Sequence, residues 1–239
     1  MEVELFHADN LEFFDVRRLR RRASQTVRES SLVGRAWRGD REAAVALKTG
    51  FWPFVREFEV AIDRQFLPRQ ALVEKFGDRR ARRVFIGVAR AVRDMKEEEG
   101  SHAAHWVKDA RCLGIPEIDG PCVPGVRALI ERSYTKDLPA FFATLAGTEF
   151  IAEELSRFLV GSKRFTDLFS RKRWMWGEVH LAADEDGPSH LDIDLDLARA
   201  YGAAADAVAI EEMVLDTIAL FGRAADDVEG VLLPELVAA

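Results

Sequence analysis

Apolar positions recur at helical spacing along almost the whole chain, and long runs that alternate Val, Ile and Thr with polar residues are missing. The pattern predicts an all-α protein. A first amphipathic stretch covers residues 15–37, and a second covers 41–66, where Gly50 and Pro53 predict a kink or break. The third and longest covers 78–113 and stops at Gly114 and Pro116. Two Gly/Pro pairs, Gly120-Pro121 and Pro124-Gly125, mark a loop. Helices are expected next over 126–133, 138–160 and 166–185. Asp186-Gly187-Pro188-Ser189 then interrupts the chain, with Ser189 suited to cap a helix through Ala200 that Gly202 ends. A last helix is expected over 204–228. No repeat, low-complexity tract or convincing linker divides the chain, so residues 1–239 read as one helical domain.

Composition narrows the classes of function. The 239 residues are 48% hydrophobic and 31% charged, the balance of an ordinary globular protein with a sizeable core. The formal net charge is -7, and the one basic run, Arg17 to Arg22, reads as a solvated helix face, so no nucleic-acid partner is expected. Cys112 and Cys122 are too few for a disulfide framework, and no signal peptide or apolar run of about 18 residues is evident. A cytoplasmic protein with no membrane association is expected.

Histidine is scarce, and four of the five lie in two short clusters with carboxylates. One is Glu97-Glu98-Glu99-Gly100-Ser101-His102-Ala103-Ala104-His105. The other runs from His180 through Asp184 to His190. Glu99 and His102 share a helix face, as do His180 and Asp184, so each pair is half of a metal site. Between them, Glu149, Glu153 and Glu154 offer single carboxylates of the kind that complete two-metal centres in helical bundles, with Glu149 and Glu153 on one face. Imidazole with carboxylate suits iron, manganese or zinc. A lone Glu-x-x-His pair is more often a surface pair than a ligand pair. The coincidence of three pieces carries the metal reading. His105, beside Trp106, and His7 are not read as ligands. Trp174, Trp176, Phe165 and Phe169 read as core or pocket lining.

The ordered pattern of Glu99-x-x-His102, the tail Trp106-Val107-Lys108-Asp109-Ala110-Arg111-Cys112-Leu113-Gly114, a later Glu, and His180-x-x-x-Asp184 followed by a histidine resembles the haem-oxygenase-like diiron oxidases, relatives of TenA and PqqC. Phe51-Trp52-Pro53-Phe54-Val55-Arg56 looks like the early helix of this group. The tail selects His102 over His105 and Glu99 over Glu98. Thr148-Glu149-Phe150-Ile151-Ala152-Glu153 selects Glu153. The resemblance implies a haem-oxygenase-like bundle of about seven helices. It also implies one iron held by Glu99, His102 and His180, and a second held by Glu153, Asp184 and His190. The family usually places its last histidine three residues after the Asp; here that position is Gly187, and His190 stands six after Asp184. An alternative register, His190-x-x-x-Asp194, finds Leu197 where the last histidine should be.

The function implied is that of an O2-dependent oxidoreductase with two Fe(II) ions, or a Mn/Fe pair, and O2 as co-substrate. Its substrate would be a small carboxylate-bearing molecule, with an aliphatic amino acid preferred, desaturated, cyclised, N-oxygenated or cleaved in a biosynthetic pathway. An external electron donor and a homodimeric assembly fit that expectation. Two alternatives belong to other classes. One is a metal-free TenA-like hydrolase or transferase using Cys112 or a Glu; the other is a non-catalytic binding member of the same fold.

Overall fold

The computed structural model describes residues 14–182, 190–202 and 207–238, without the side chains of Glu98, Ala182 and His190. Among these residues there are helices and no strands, as the spacing of apolar positions predicts. The helices are eleven rather than about seven, with one 3-10 turn besides. They are α1 (Val16–Glu29), α2 (Ser31–Trp37), α3 (Arg41–Asp63), α4 (Arg69–Phe76), α5 (Asp78–Cys112) and α6 (Pro124–Ser133). There follow α7 (Leu138–Val160), α8 (Lys163–Thr166), the 3-10 turn Ser170–Lys172, α9 (Met175–Ala182), α10 (His190–Tyr201) and α11 (Ala207–Ala238).

The higher count has local causes. The stretch 15–37 divides at Ser30, whose extended backbone ends α1 by donating its N–H to Thr26 O at 3.2 Å, while its hydroxyl accepts the Val33 N–H to cap α2. One residue therefore serves both helix ends. The helix expected over 166–185 is replaced between Thr166 and Met175 by turns that include Arg171 and Lys172 at φ of 58° and 55°. In an uninterrupted helix Trp174, nine residues after Phe165, would point to the opposite face. The break turns Trp174 inward, fully buried, with its ring 5.2 Å from that of Phe165.

Elsewhere the sequence predicts breaks that packing overrides. Helix α3 runs continuously through Gly50 and Pro53. Pro53 has no N–H for the Thr49 carbonyl, and the loop's Gly120 lies against that carbonyl, where a Cβ would stand 2.6 Å from the oxygen. Phe51, Phe54 and Phe58 bury the same helix on both sides of the proline. Helix α11 continues ten residues beyond the expected end at Val228, because Leu232 and Leu233 still find buried positions. Helix α4 was not expected at all.

Helix α7 is the centre of the assembly, packing against α1, α9, α10 and α11. Residues 141–156 are buried around its whole circumference, the signature of an interior helix. Helix α5 packs against α3, α4 and α9. Among the described residues no helix is long and apolar enough to cross a membrane.

Candidate functional site

One face of α5 carries Glu99, His102, Trp106 and Asp109, at helical intervals of three, four and three residues, and all four are buried. Opposite this face lies α9 with Trp176 and His180. The Glu99 carboxylate lies 3.2 Å from His102 Nδ1. The rings of His102 and His180 face each other with centroids 4.3 Å apart. His180 Nδ1 is 2.8 Å from the Trp176 carbonyl oxygen, which can only accept. The proton of a neutral His180 therefore sits on Nδ1, leaving Nε2 as the acceptor nitrogen.

Asp194 on α10 adds a second buried carboxyl. It is 1% exposed, and its Oδ1 has no hydrogen-bond partner among the described residues. Burial, with the negative charge of Glu99 added, holds this carboxyl well above the usual range. A second buried acid thus lies within the field of Glu99, which itself contacts the His102 imidazole.

The structure brings Glu99, His102 and His180 together. Glu153 lies on α7 with its carboxylate 2.6 Å from Arg20 and 3.8 Å from Arg157, while Glu154 pairs with the same two arginines. Glu149 is buried one turn earlier. Asp184 and His7 lie outside the described residues, and of His190 only the backbone is described, as the first residue of α10. His105 is exposed.

An apolar pocket of about 630 Å³, its open mouth included, adjoins this cluster between α1, α3, α7 and α11. Phe51, Phe54, Ile151 and Phe221 form its walls, and Trp106 and Trp176 reach it from the acidic side. The Trp176 ring lies 4.0 Å from His180 and 5.0 Å from Trp106, so a single aromatic layer separates pocket from imidazoles. Among the described residues no charged side chain lines the pocket. Two of its hydroxyls are already engaged, Ser30 with the Val33 N–H and Thr148 with the Thr144 carbonyl. The ammonium and carboxylate of an amino acid would meet no countercharge in that lining.

Behind Trp106 sits Lys48, 1% exposed. Its Nζ is 3.6 Å from the Trp106 ring centroid and 3.5 Å from Asp109 Oδ2, an ion pair longer than a hydrogen bond. Burial lowers the Lys48 pKa to about 7, against the opposing pull of Asp109. Asp109 also accepts the backbone N–H groups of Met175 at 3.2 Å and Trp176 at 3.0 Å. Cys112 is half-buried with its Sγ 2.8 Å from Ser170 Oγ, and does not line the pocket.

Sequence reasoning passed over Asp194 and missed Lys48, Asp109 and Arg20. A signal existed for two of them. Lys48 interrupts the apolar run from Ala43 to Phe51, and Asp109 stands seven residues after His102, on the same helix face.

No family model matches the sequence, and no curated protein does. Among solved structures the chain is similar to a TenA homologue from Pseudomonas syringae pv. tomato, with a TM-score of 0.67 and 15% identity over 97% of this chain and 96% of that one. The chain has the all-helical fold of that TenA homologue.

Proposed function

We propose that this chain is an enzyme that takes a small, mainly apolar molecule into the pocket and acts on it by proton transfer through the buried cluster of Glu99, His102, His180 and Asp194. The observation that carries this reading is the meeting of Glu99, His102 and His180 one aromatic layer from an uncharged pocket. Glu99 against His102 is an arrangement that can take up a proton, and His180, anchored by the Trp176 carbonyl, holds its second nitrogen in a fixed direction. Trp106 and Trp176 exclude water from the pocket side. The reaction class is hydrolysis or group transfer, with Glu99 rather than Cys112 as the base, since Glu99 touches His102 within the buried cluster whereas Cys112 pairs with Ser170 outside it.

A second reading is favoured by the same three residues, which are half of the ligand set that the resemblance implies. It is an O2-dependent oxidase with iron at Glu99, His102 and His180. The donor set fits such an ion in kind: two imidazoles, a carboxylate and, in Asp194, a buried carboxylate oxygen without a hydrogen bond among the described residues. Among the described residues no three His, Cys, Asp or Glu side chains converge on one metal position; Asp184 and the side chain of His190, which the resemblance adds to the set, lie outside them. A bound iron would supply oxygen activation, and the chain's own groups would orient the substrate and keep the site dry.

One experiment separates the two. The full chain is loaded anaerobically with Fe(II), desalted, and assayed for iron content and melting temperature. It is then screened against small apolar esters, amides and alkyl compounds with and without iron and O2. Turnover that needs no iron and is lost in Glu99→Gln and His180→Gln supports proton transfer. About two irons per chain, a raised melting temperature and O2-dependent product would support the oxidase instead. Full turnover in both variants would overturn the site itself.

A further inference from the structure

Helix α9 carries both His180 and the pocket residue Trp176. Its first backbone N–H groups need acceptors, as at every helix start. The two residues before it cannot help: Arg173 and Trp174 have side chains that only donate. The acceptor comes from another helix. Asp109 of α5 takes the Met175 N–H on one carboxylate oxygen and the Trp176 N–H on the other. Its negative charge also suits the positive end of the helix dipole. Lys48 of α3 stands 3.5 Å from the same carboxylate, linking a third helix to the joint.

We infer that Asp109 is a positioning residue, which fixes α9 against α5 so that His180 comes to rest opposite His102. Two bonds from one rigid carboxylate to successive amides set both the height and the rotation of α9. Asp109 stands two turns along α5 from His102, and Trp176 stands one turn along α9 from His180. The two helices are therefore pinned at one end by Asp109 and meet at the other in the imidazole pair, with the Trp106 and Trp176 rings packed edge to face between. The His180 Nδ1 bond to the Trp176 carbonyl ties the ring to the residue whose amide Asp109 holds. The importance of the imidazole pair rests on the function proposed above; the positioning itself does not.

The test needs no substrate. The full chain, labelled with 15N-histidine, has five histidines, few enough to resolve, and His180→Gln assigns the His180 signals. The unaltered protein is expected to show a slowly exchanging His180 Nδ1 proton and a nuclear Overhauser contact between the His102 and His180 rings. Asp109→Asn keeps the shape but sets an NH2 group against one of the two amides. It is expected to fold cooperatively, to lose the ring-to-ring contact and to speed exchange of the Nδ1 proton. Asp109→Ser, with one short acceptor, is expected to do the same. A folded Asp109→Asn protein with both signals intact would overturn the inference. So would failure of both variants to fold, which would make Asp109 a general stability element. Lost turnover with the imidazole signals preserved would count against positioning, not against the site.

Discussion

Substituting Lys48 by Met tests whether the buried ammonium is held near neutrality. With its pKa lowered from 10.5 to about 7, Lys48 binds a proton far more weakly in the folded chain than in the unfolded one. Between pH 7 and 10.5 the unfolded state thus carries the extra proton, so stability must rise with pH across that window. The penalty is fully present below the folded value and gone above the unfolded one. At 1.36 kcal/mol per pH unit, the contribution between pH 7 and about pH 9.5 is roughly 3 kcal/mol. The groups facing Nζ are the Asp109 carboxylate and, more distantly, Cys112, and both remain in Lys48→Met. Subtracting the two pH profiles therefore isolates the lysine. The assay is urea unfolding, followed by tryptophan fluorescence, at half-unit steps from pH 6.5 to about 9.5. The wild-type free energy should climb by roughly 3 kcal/mol relative to the variant. Parallel profiles, with Lys48→Met lower by about 3–5 kcal/mol throughout, would refute the reasoning and identify a fully charged buried pair.

Other substitutions have definite expectations. In Gly50→Ala the new methyl would stand 2.4 Å and 2.6 Å from the Val228 methyls, so a net loss of about 1–3 kcal/mol is expected in urea despite the better helix propensity of Ala. Unchanged stability would mean that α3 and α11 are less closely packed than described. Glu153→Gln gives up the charge that faces Arg20 and Arg157. Because the Arg20 side chain is 40% exposed, the loss should be about 1–2 kcal/mol and should shrink in high salt. A salt-independent loss would count against the ion pair as its source. Ala152→Phe fills the pocket from α7 and should weaken binding of a fluorescent probe with a hydrocarbon tail by about tenfold or more, with the helical circular dichroism retained. Unaltered probe affinity would place the binding site elsewhere.

What could be read in the sequence followed from periodicity. The helices over 78–112 and 138–160 were legible because each carries several turns of buried positions and a clear start or stop, whereas the helix over 41–63 was legible in its span but not in its continuity through Gly50 and Pro53. Ser30 was not legible as a boundary, since a serine within an amphipathic pattern looks like any polar position until its hydroxyl is seen on Val33. The break at Arg171 and Lys172 was hidden for a different reason. Neither residue favours a left-handed backbone, and that conformation accompanies the full burial of Trp174 just beyond it. In the site, Glu99, His102 and His180 could be named because helical spacing brings a pair together and because histidine is rare. Asp194 could not, and Lys48 showed only as a break in an apolar run, as their roles depend on which helices lie against theirs. Glu153 shows the same limit, because a conspicuous carboxylate reveals nothing about the Arg20 guanidinium that a distant helix supplies.

Helix α5 carries the four site residues Glu99, His102, Trp106 and Asp109 within a single stretch, a span of about 15 Å. A residue inserted or deleted anywhere in that stretch would turn everything beyond it by about 100°. The acid, the imidazole, the floor of the pocket and the anchor of α9 would then no longer share a face. Descendants of this chain can exchange residues along the stretch but cannot change its length without dismantling the site, so gaps in an alignment of close relatives should fall outside it.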